Sequence, residues 1–172
     1  MPHSYPEFKQ EFKQHFINNF EKTTKILDVG PGAGIYGKLL SQEGYRIDCL
    51  EIWAPYVERF NLHSIYDNVI VGDIKYFDIL PYNYIIMGDV LEHLTFSQAK
   101  VILDKIEKNK IKCLVAVPYN YSQGISEGNI YETHWQPDLT PENVLTRYPN
   151  LKELQVCKGH NGNPFYGYYI NY

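Results

Sequence analysis

The first residues whose types and spacing could do chemistry are an acid and a set of glycines that follow a short apolar run. Residues 26–29 read Ile-Leu-Asp-Val, and Gly30, Gly32 and Gly34 follow at alternate positions, before an apolar pattern with helical spacing. A glycine turn between a strand and a helix lets backbone N–H groups approach a ligand closely, because no Cβ stands in the way. The stretch therefore predicts the strand, loop and helix start of a nucleotide-binding α/β unit.

The register of these glycines leaves two interpretations. Gly32, Gly34 and Gly37 satisfy the G-x-G-x-x-G spacing of dinucleotide-binding dehydrogenases. That register would leave Gly30 and Pro31 inside a central strand, where proline cannot donate to the ladder. We therefore favour a strand that ends at Val29 or Gly30 and is followed by G-x-G-x-G, and we keep an NAD-dependent dehydrogenase as an alternative.

Three further acids each follow an apolar run of strand type: Glu51, Asp73 and Asp89. In an open parallel sheet the ligand binds at the carboxyl ends of the strands, so we expect these acids and Asp28 to lie around one pocket. An acid at the end of the second strand can accept hydrogen bonds from both hydroxyls of a ribose. Glu51 is predicted to have this role.

The hexapeptide over residues 89–94, Asp-Val-Leu-Glu-His-Leu, is the second specific motif. Together with the glycine loop it resembles the class I S-adenosylmethionine-dependent methyltransferases, and the resemblance is most specific in residues 26–37 and 84–94. It implies an α/β, Rossmann-like fold with a mostly parallel seven-stranded sheet, an antiparallel C-terminal hairpin and helices on both faces. It also implies one methyltransferase domain over residues 1–172.

The resemblance further implies S-adenosylmethionine as the cofactor. In the family, the first acid and the glycine loop hold the methionine end, the second acid holds the ribose, and the third acid and the next residue hold the adenine. The hexapeptide's acid and histidine lie beside the methionine portion. The predicted cofactor-binding residues are Asp28, Gly30, Gly32, Gly34, Glu51, Ile52, Trp53, Asp73, Ile74, Asp89, Val90 and His93. Trp53 and His93 could instead be packing residues, and Asp73 could simply stabilise a turn.

Residues 118–137 form a long segment without periodicity that contains polar and aromatic residues together. Segments of this length are usually functional, and this one leaves the fifth predicted strand at its carboxyl end, so we interpret it as a substrate lid. His134 is the candidate general base, with Glu132 to orient it or match its charge and Tyr119 as a hydrogen-bond partner. A histidine that only anchors the loop is an alternative, and an amine or carboxylate acceptor needs no strong base.

An amphipathic helix is predicted within residues 1–22, because phenylalanines recur at every fourth position from Phe8 to Phe20. The net charge of −4 disfavours a protein that coats nucleic-acid phosphates. Three widely spaced cysteines show no zinc-binding spacing, so no metal is expected, and they suit a reducing compartment. With no long apolar span and no leader pattern, we expect a cytosolic protein that does not bind a membrane.

The predicted function is methyl transfer from S-adenosylmethionine to a small-molecule, sugar or nucleotide-linked acceptor. Two alternatives stay open besides the dehydrogenase. One is a methyltransferase fold that binds the cofactor and serves as a non-catalytic partner subunit; the other is an RNA or DNA methyltransferase. The sequence does not indicate the oligomeric state.

Overall fold

The computed structural model describes residues 5–172 of the chain. Across these residues the helices are α1 (Lys9–Asn19), α2 (Ile35–Ser41), α3 (Pro55–Arg59), α4 (Phe96–Lys108) and α5 (Pro141–Arg147). The strands are β1 (Ile26–Val29), β2 (Ile47–Glu51), β3 (Asn68–Val71), β4 (Tyr84–Gly88), β5 (Lys112–Pro118), β6 (Lys152–Lys158) and β7 (Pro164–Ile170). Short 3-10 turns lie at Leu62–Ser64, Leu91–His93 and Ile130–Glu132.

The strands form one seven-stranded sheet in the order β3-β2-β1-β4-β5-β7-β6. β1 pairs with β2 and β2 with β3 in parallel, whereas β7 is antiparallel to both β5 and β6. The predicted fold is therefore confirmed: a mostly parallel sheet in an α/β protein that ends in an antiparallel hairpin. The chain divides into two compact units, an N-terminal unit that ends at Ile86 and a C-terminal unit over Met87–Tyr172.

The N-terminal unit has an aromatic core. Phe12 and Phe16 of α1 are fully buried. The ring of Phe12 meets Tyr36 edge-on at 5.6 Å between centroids, and the ring of Phe16 meets Tyr84 in the same way at 4.8 Å. Edge-to-face contact is a preferred arrangement of aromatic rings, so the phenylalanine stripe packs as the sequence predicts. The predicted helix within residues 1–22 is observed over Lys9–Asn19, and residues 1–4 lie outside the described part of the chain.

The C-terminal unit is built on β5, β7 and β6 with α4 and α5 around them. α4 begins with a capping box, in which Thr95 accepts from the backbone N–H of Gln98 and the Gln98 side chain accepts from that of Thr95. α5 begins with Thr140 accepting from the backbone N–H of Asn143 and with proline at the first helical position. Both helices thus start where a side chain satisfies an otherwise unpaired N–H.

The last residue of β5 is a proline. The strand runs through Pro118, which pairs with Tyr166 on β7. A proline can close a strand in this way, since it lacks only the N–H and keeps its carbonyl. Among residues 5–172, no helix is long and apolar enough to span a membrane.

Candidate functional site

The glycine loop of the N-terminal unit leaves β1 in an unusual backbone conformation. Gly30, Gly32 and Gly34 all have positive φ, at 60°, 50° and 74°. Three left-handed residues within five positions favour glycine at each, because in other residues the left-handed conformation brings the Cβ too close to the following carbonyl oxygen. The Gly30 N–H donates to the carbonyl of Leu50 at 2.9 Å, and that of Gly34 to Pro31 at 2.8 Å, so the loop is held against the end of β2. The strand ends at Val29, as the favoured register requires.

Asp28 lies inside the N-terminal unit with 1% of its surface exposed. Its Oδ2 accepts a hydrogen bond from the Tyr66 hydroxyl at 2.6 Å. Burial raises the pKa of Asp28 to about 7, although the Tyr66 hydrogen bond and the charge of Lys9 act in the opposite direction. The predicted contact of Asp28 with an ammonium group stays a prediction, and the observed geometry instead links β1 to the segment that carries Tyr66.

Gly37 shows why Tyr66 can reach Asp28. A Cβ at Gly37 would lie 2.3 Å from Cζ of Tyr66, so the Tyr66 ring passes directly over the backbone of α2. The last glycine of the G-x-G-x-x-G spacing therefore serves close packing around Asp28. Sequence analysis missed Tyr66, which lies 38 residues from Asp28, and no local pattern points to such a pair.

Glu51 closes β2 beside the glycine loop and has 3% of its surface exposed. Its Oε1 accepts from the backbone N–H of Trp53 at 2.7 Å, which fixes the side chain at the carboxyl end of the strand. Ile52 and Trp53 follow at intermediate exposure. The ribose role of Glu51 and the adenine roles of Ile52 and Trp53 stay predictions, and their placement is compatible with them.

Asp73 follows β3 and makes the contacts expected of a turn residue. Its Oδ1 accepts from the Lys75 backbone N–H at 2.9 Å, and its Oδ2 lies 3.1 Å from the Lys75 ammonium. Ile74 is buried, with 8% of its surface exposed. Because β1, β2 and β3 are paired in parallel, Asp73 stands at the same strand ends as the glycine loop and Glu51. Its adenine contact stays a prediction.

In the C-terminal unit, Asp89 follows β4 with a φ of 60°, which is uncommon for a residue with a side chain. Its backbone N–H donates to the carbonyl of Ala116 at 2.9 Å, and its Oδ2 accepts from the Tyr166 hydroxyl at 2.7 Å. These bonds hold the carboxylate at the carboxyl end of β4. Val90 is next to it with 9% exposure.

The predicted lid is hydrogen-bonded to the hexapeptide that contains His93. The backbone N–H of Trp135 donates to the carbonyl of Glu92 at 2.8 Å. The Gln136 side chain donates to the carbonyls of Leu91 and Leu94 at 3.0 and 3.1 Å, and it is itself 3% exposed. The end of the lid is therefore fixed against the 3-10 turn at Leu91–His93.

His93 and His134 are brought together by this docking. Their rings meet edge to face, with 4.6 Å between centroids. Nδ1 of His134 lies 2.8 Å from the carbonyl oxygen of Tyr121, and Nδ1 of His93 lies 3.3 Å from that of Thr133. A carbonyl oxygen can only accept, so each ring carries its proton on Nδ1 and leaves the lone pair on Nε2.

Both imidazoles are held in the neutral form. Burial and the neighbouring His134 lower the pKa of His93 to about 4. Burial also lowers the pKa of His134, against the effect of its bond to the Tyr121 carbonyl. A neutral imidazole whose Nδ1 is anchored can accept a proton or bind a metal through Nε2.

The other two candidate catalytic residues are Glu132 and Tyr119. The Glu132 carboxylate, 7% exposed, accepts from the Gln123 side chain at 2.9 Å, and its charge acts to raise the pKa of His134, whose Nδ1 is oriented by the carbonyl of Tyr121. The Tyr119 hydroxyl is bonded to that of Tyr169, and burial together with this bond raises the pKa of Tyr119. The structure therefore does not join Tyr119 to His134 by a hydrogen bond, and the catalytic roles of all three residues stay predictions.

Glu92 is the second residue that sequence analysis missed. It is 1% exposed, and neither carboxylate oxygen has a hydrogen-bond partner among residues 5–172. Burial raises the pKa of Glu92 well above its usual range, and the charge of Asp89 adds to this. A carboxyl group that is both buried and unpartnered is rare in folded proteins and calls for an explanation.

Comparison with known proteins relates the chain to solved structures alone. No family model matches the sequence, and no curated protein matches it in sequence. The N-terminal domain of EvdMO1, solved with S-adenosylhomocysteine bound, superposes with a TM-score of 0.68 at 12% identity over 98% of this chain and 82% of that one.

Two further structures extend the comparison. A 1,6-didemethyltoxoflavin N1-methyltransferase from Burkholderia thailandensis, solved with its acceptor and S-adenosylhomocysteine, gives a TM-score of 0.64 at 12% identity over 95% of this chain and 77% of that one. A provisionally assigned O-methyltransferase from Nostoc punctiforme gives 0.63 at 17% identity over 94% of this chain. The chain spans only 55% of that protein's length. The chain therefore has the fold of the class I S-adenosylmethionine-dependent methyltransferases.

Proposed function

We propose that the protein is a methyltransferase that uses S-adenosylmethionine and acts on a small-molecule, sugar or nucleotide-linked acceptor. The observation that carries this proposal is the site at the ends of β1 and β2. There, three glycines with positive φ lie beside a buried glutamate whose side chain is fixed at the strand end. The fold of the chain, shared with methyltransferases, agrees with this reading.

The residues of the N-terminal unit fit the adenosyl part of this cofactor. We assign Glu51 to the ribose hydroxyls, and Trp53 and Ile74, with their flat or apolar side chains, to the adenine. The fixed position of the Glu51 side chain at the end of β2 supports its assignment. The glycine loop offers a backbone without Cβ atoms to the methionine end. The cofactor, when bound, supplies a methyl group activated on a sulfonium. In the C-terminal unit we assign Asp89, Val90 and His93 to the methionine portion.

Asp28 receives a positioning role in this proposal. Its carboxyl group is engaged by Tyr66, and Tyr66 packs on Gly37 just after the loop. Asp28 thus connects the strand, the helix after the loop and the Tyr66 segment. By fixing the loop it would act on cofactor affinity in addition to its predicted contact with the ammonium group of the methionine end.

On the acceptor side, His134 is the proposed general base for a hydroxyl acceptor. Its ring is neutral, and the Tyr121 carbonyl fixes the proton on Nδ1, which leaves Nε2 to take a proton. The 118–137 segment also presents large side chains to solvent: Trp135 is 64% exposed, Ile125 65% and Tyr121 49%. Exposed apolar surface of this kind suits contact with a small organic acceptor.

The net charge of −4 supports a small acceptor over a nucleic acid, which would favour a basic surface. The small-molecule acceptor bound to the Burkholderia thailandensis neighbour is in line with this choice. Cys49 and Cys113 are buried free thiols, which suits a reducing compartment, and we propose the cytosol as the place of action.

Calorimetry with S-adenosylmethionine and S-adenosylhomocysteine tests the proposal. We expect both ligands to bind, and Glu51→Gln to weaken binding about 10- to 150-fold. That factor corresponds to losing a charged acceptor worth about 1.5–3 kcal/mol. Glu58→Gln, at an exposed position of α3, is the matched control and should bind like the parent.

Turnover on a panel of hydroxyl and amine acceptors then separates the alternatives. Binding of both ligands with no methylation of any acceptor would favour a non-catalytic partner subunit. Tight binding of NAD without affinity for S-adenosylhomocysteine would establish the dehydrogenase. Equal affinities of Glu51→Gln and Glu58→Gln would remove the ribose assignment.

A further inference from the structure

Three potential metal ligands converge within the C-terminal unit. One carboxylate oxygen of Glu92 and one ring nitrogen each of His93 and His134 all lie within 4.8 Å of one another. Zinc sites hold such ligands at about 2.0–2.2 Å from the ion, so small side-chain rotations would bring these three atoms to bonding distance. No family motif predicts this set, since Glu92 and His93 are neighbours while His134 comes from the predicted lid.

The protonation of both histidines suits metal binding. Each Nδ1 lies near a backbone carbonyl, Tyr121 for His134 and Thr133 for His93. In metal sites the ligating histidine typically donates its other ring N–H to a carbonyl or carboxylate, which fixes the tautomer and orients the ring. Both rings therefore already have the outer hydrogen bond that a ligand histidine needs, with Nε2 left to bind.

Glu92 supplies the independent observation. Its side chain is 1% exposed, and both its oxygens lack a hydrogen-bond partner among residues 5–172. A buried carboxyl group left in this state destabilises the fold, because it has lost its hydrogen bonds to water and gained none in the protein. A bound cation removes that cost, because it gives the carboxylate a partner of opposite charge.

The surroundings of the cluster are preorganised by hydrogen bonds. The Trp135 N–H donates to the Glu92 carbonyl, and the Gln136 side chain ties the same segment to Leu91 and Leu94. The backbones that carry the three ligands are thus bonded to each other without the ion.

We propose that Glu92, His93 and His134 form a binding site for one divalent first-row transition-metal ion. Two imidazoles and one carboxylate are a ligand set that suits zinc and its neighbours and does not suit magnesium, which prefers oxygen ligands alone. Three protein ligands leave a coordination position for water or for an oxygen of another molecule. Metal binding needs neither cofactor nor acceptor, so it can be measured apart from the proposed methyl transfer, with which the site shares His93 and His134.

The site also bears on His134. A coordinated Nε2 has no lone pair left for a proton, so metal binding and the general-base role of His134 exclude each other. Metal titration therefore decides which role the residue has.

The test uses the full chain, freed of metal with a chelator and titrated with Zn²⁺ by calorimetry. We expect one equivalent to bind, and Glu92→Gln and His134→Ala each to weaken binding more than about 100-fold, beyond the 10- to 100-fold typical of losing an outer-shell partner. The matched controls are Glu107→Gln and His160→Ala, which change exposed residues of the same unit and should keep the affinity of the parent. A large excess of Mg²⁺ should not compete.

Co²⁺ gives a second measurement that reports coordination directly. The parent should develop the intense visible bands of low-coordinate cobalt, and His134→Ala should not. Circular dichroism without metal verifies that each variant is folded, and His93→Gln replaces any variant that is not. Absence of Zn²⁺ binding by the parent, equal binding by the ligand variants, or displacement by Mg²⁺ would each overturn the proposal.

Discussion

At the scale of single residues, Asp28 is a carboxyl group that water hardly reaches, with a pKa near 7 in the folded chain. In the unfolded chain it titrates near its ordinary value of 3.8. Between these two pH values the folded state holds a proton that the unfolded state has lost. The free energy of unfolding therefore falls as the pH rises from about 4 to about 7.

Replacing Asp28 with asparagine should remove this part of the pH dependence. Asparagine keeps an oxygen that can accept from Tyr66 but cannot ionise. The free energy of unfolding of the variant, relative to that of the parent, should therefore rise by a few kcal/mol between pH 4 and 7, at about 1.4 kcal/mol per pKa unit. Urea unfolding of the cofactor-free protein at several pH values measures this. Glu107→Gln, which removes an exposed carboxylate, should follow the parent curve. Parallel curves for Asp28→Asn and the parent would contradict the assignment.

Residue identity alone predicted some of these positions and not others. Glu51 and Asp73 were found because an acid after an apolar run marks a strand end, which is a local signal. The Tyr66 hydroxyl on Asp28 and the unpartnered Glu92 could not be found, because both depend on segments far apart in the sequence. The burial of a single polar side chain does not change the hydrophobic periodicity of the sequence around it.

At the scale of elements, α2 and the Tyr66 segment approach each other at Gly37. A Cβ at this position would lie 2.3 Å from Cζ of Tyr66, whose hydroxyl is bonded to Asp28. Alanine in place of a helical glycine usually stabilises a helix by about 0.5–1 kcal/mol. Adding a methyl group to a filled interior costs about 1–3 kcal/mol of stability, so the steric cost at Gly37 should exceed the gain in helix propensity.

Gly37→Ala is therefore expected to lower the free energy of unfolding, although helix propensity alone predicts a gain. Gly124→Ala is the control, because a Cβ there would have no atom within 4 Å and the backbone does not require glycine. Chemical denaturation of both variants measures the difference. A Gly37→Ala protein at least as stable as the parent would show that Tyr66 can move away.

The elements themselves were largely predictable from the sequence. β3, Asn68–Val71, is the apolar run that precedes Asp73, and the capping residues Thr95 and Thr140 begin α4 and α5. Such signals lie within a few residues of each other and reflect backbone hydrogen bonding. The docking of the 118–137 segment on Leu91–His93 was not predictable, because its hydrogen bonds are accepted by backbone carbonyls, which every residue has.

At the scale of the whole molecule, ligand binding should appear as a change in thermal stability. A ligand at 100 times its dissociation constant stabilises the folded state by about 2.7 kcal/mol when it does not bind the unfolded chain. For a chain of 172 residues, each kcal/mol raises Tm by about 2–4 °C. S-adenosylhomocysteine at that excess should thus raise Tm by about 5–10 °C, and NAD should not.

Measurement of Tm for the variants distinguishes stabilisation by binding at the predicted cofactor site from a nonspecific effect of the ligand. At a fixed ligand concentration the Tm rise of Glu51→Gln should shrink, because its weaker binding lowers the ratio of ligand to dissociation constant, while Glu58→Gln should keep the full rise. Both variants without ligand provide the baseline. If NAD and S-adenosylhomocysteine raised Tm equally, the glycine loop would be a general nucleotide site. The fold would then confer no preference for S-adenosylhomocysteine over NAD, and the assignment of the cofactor would be wrong.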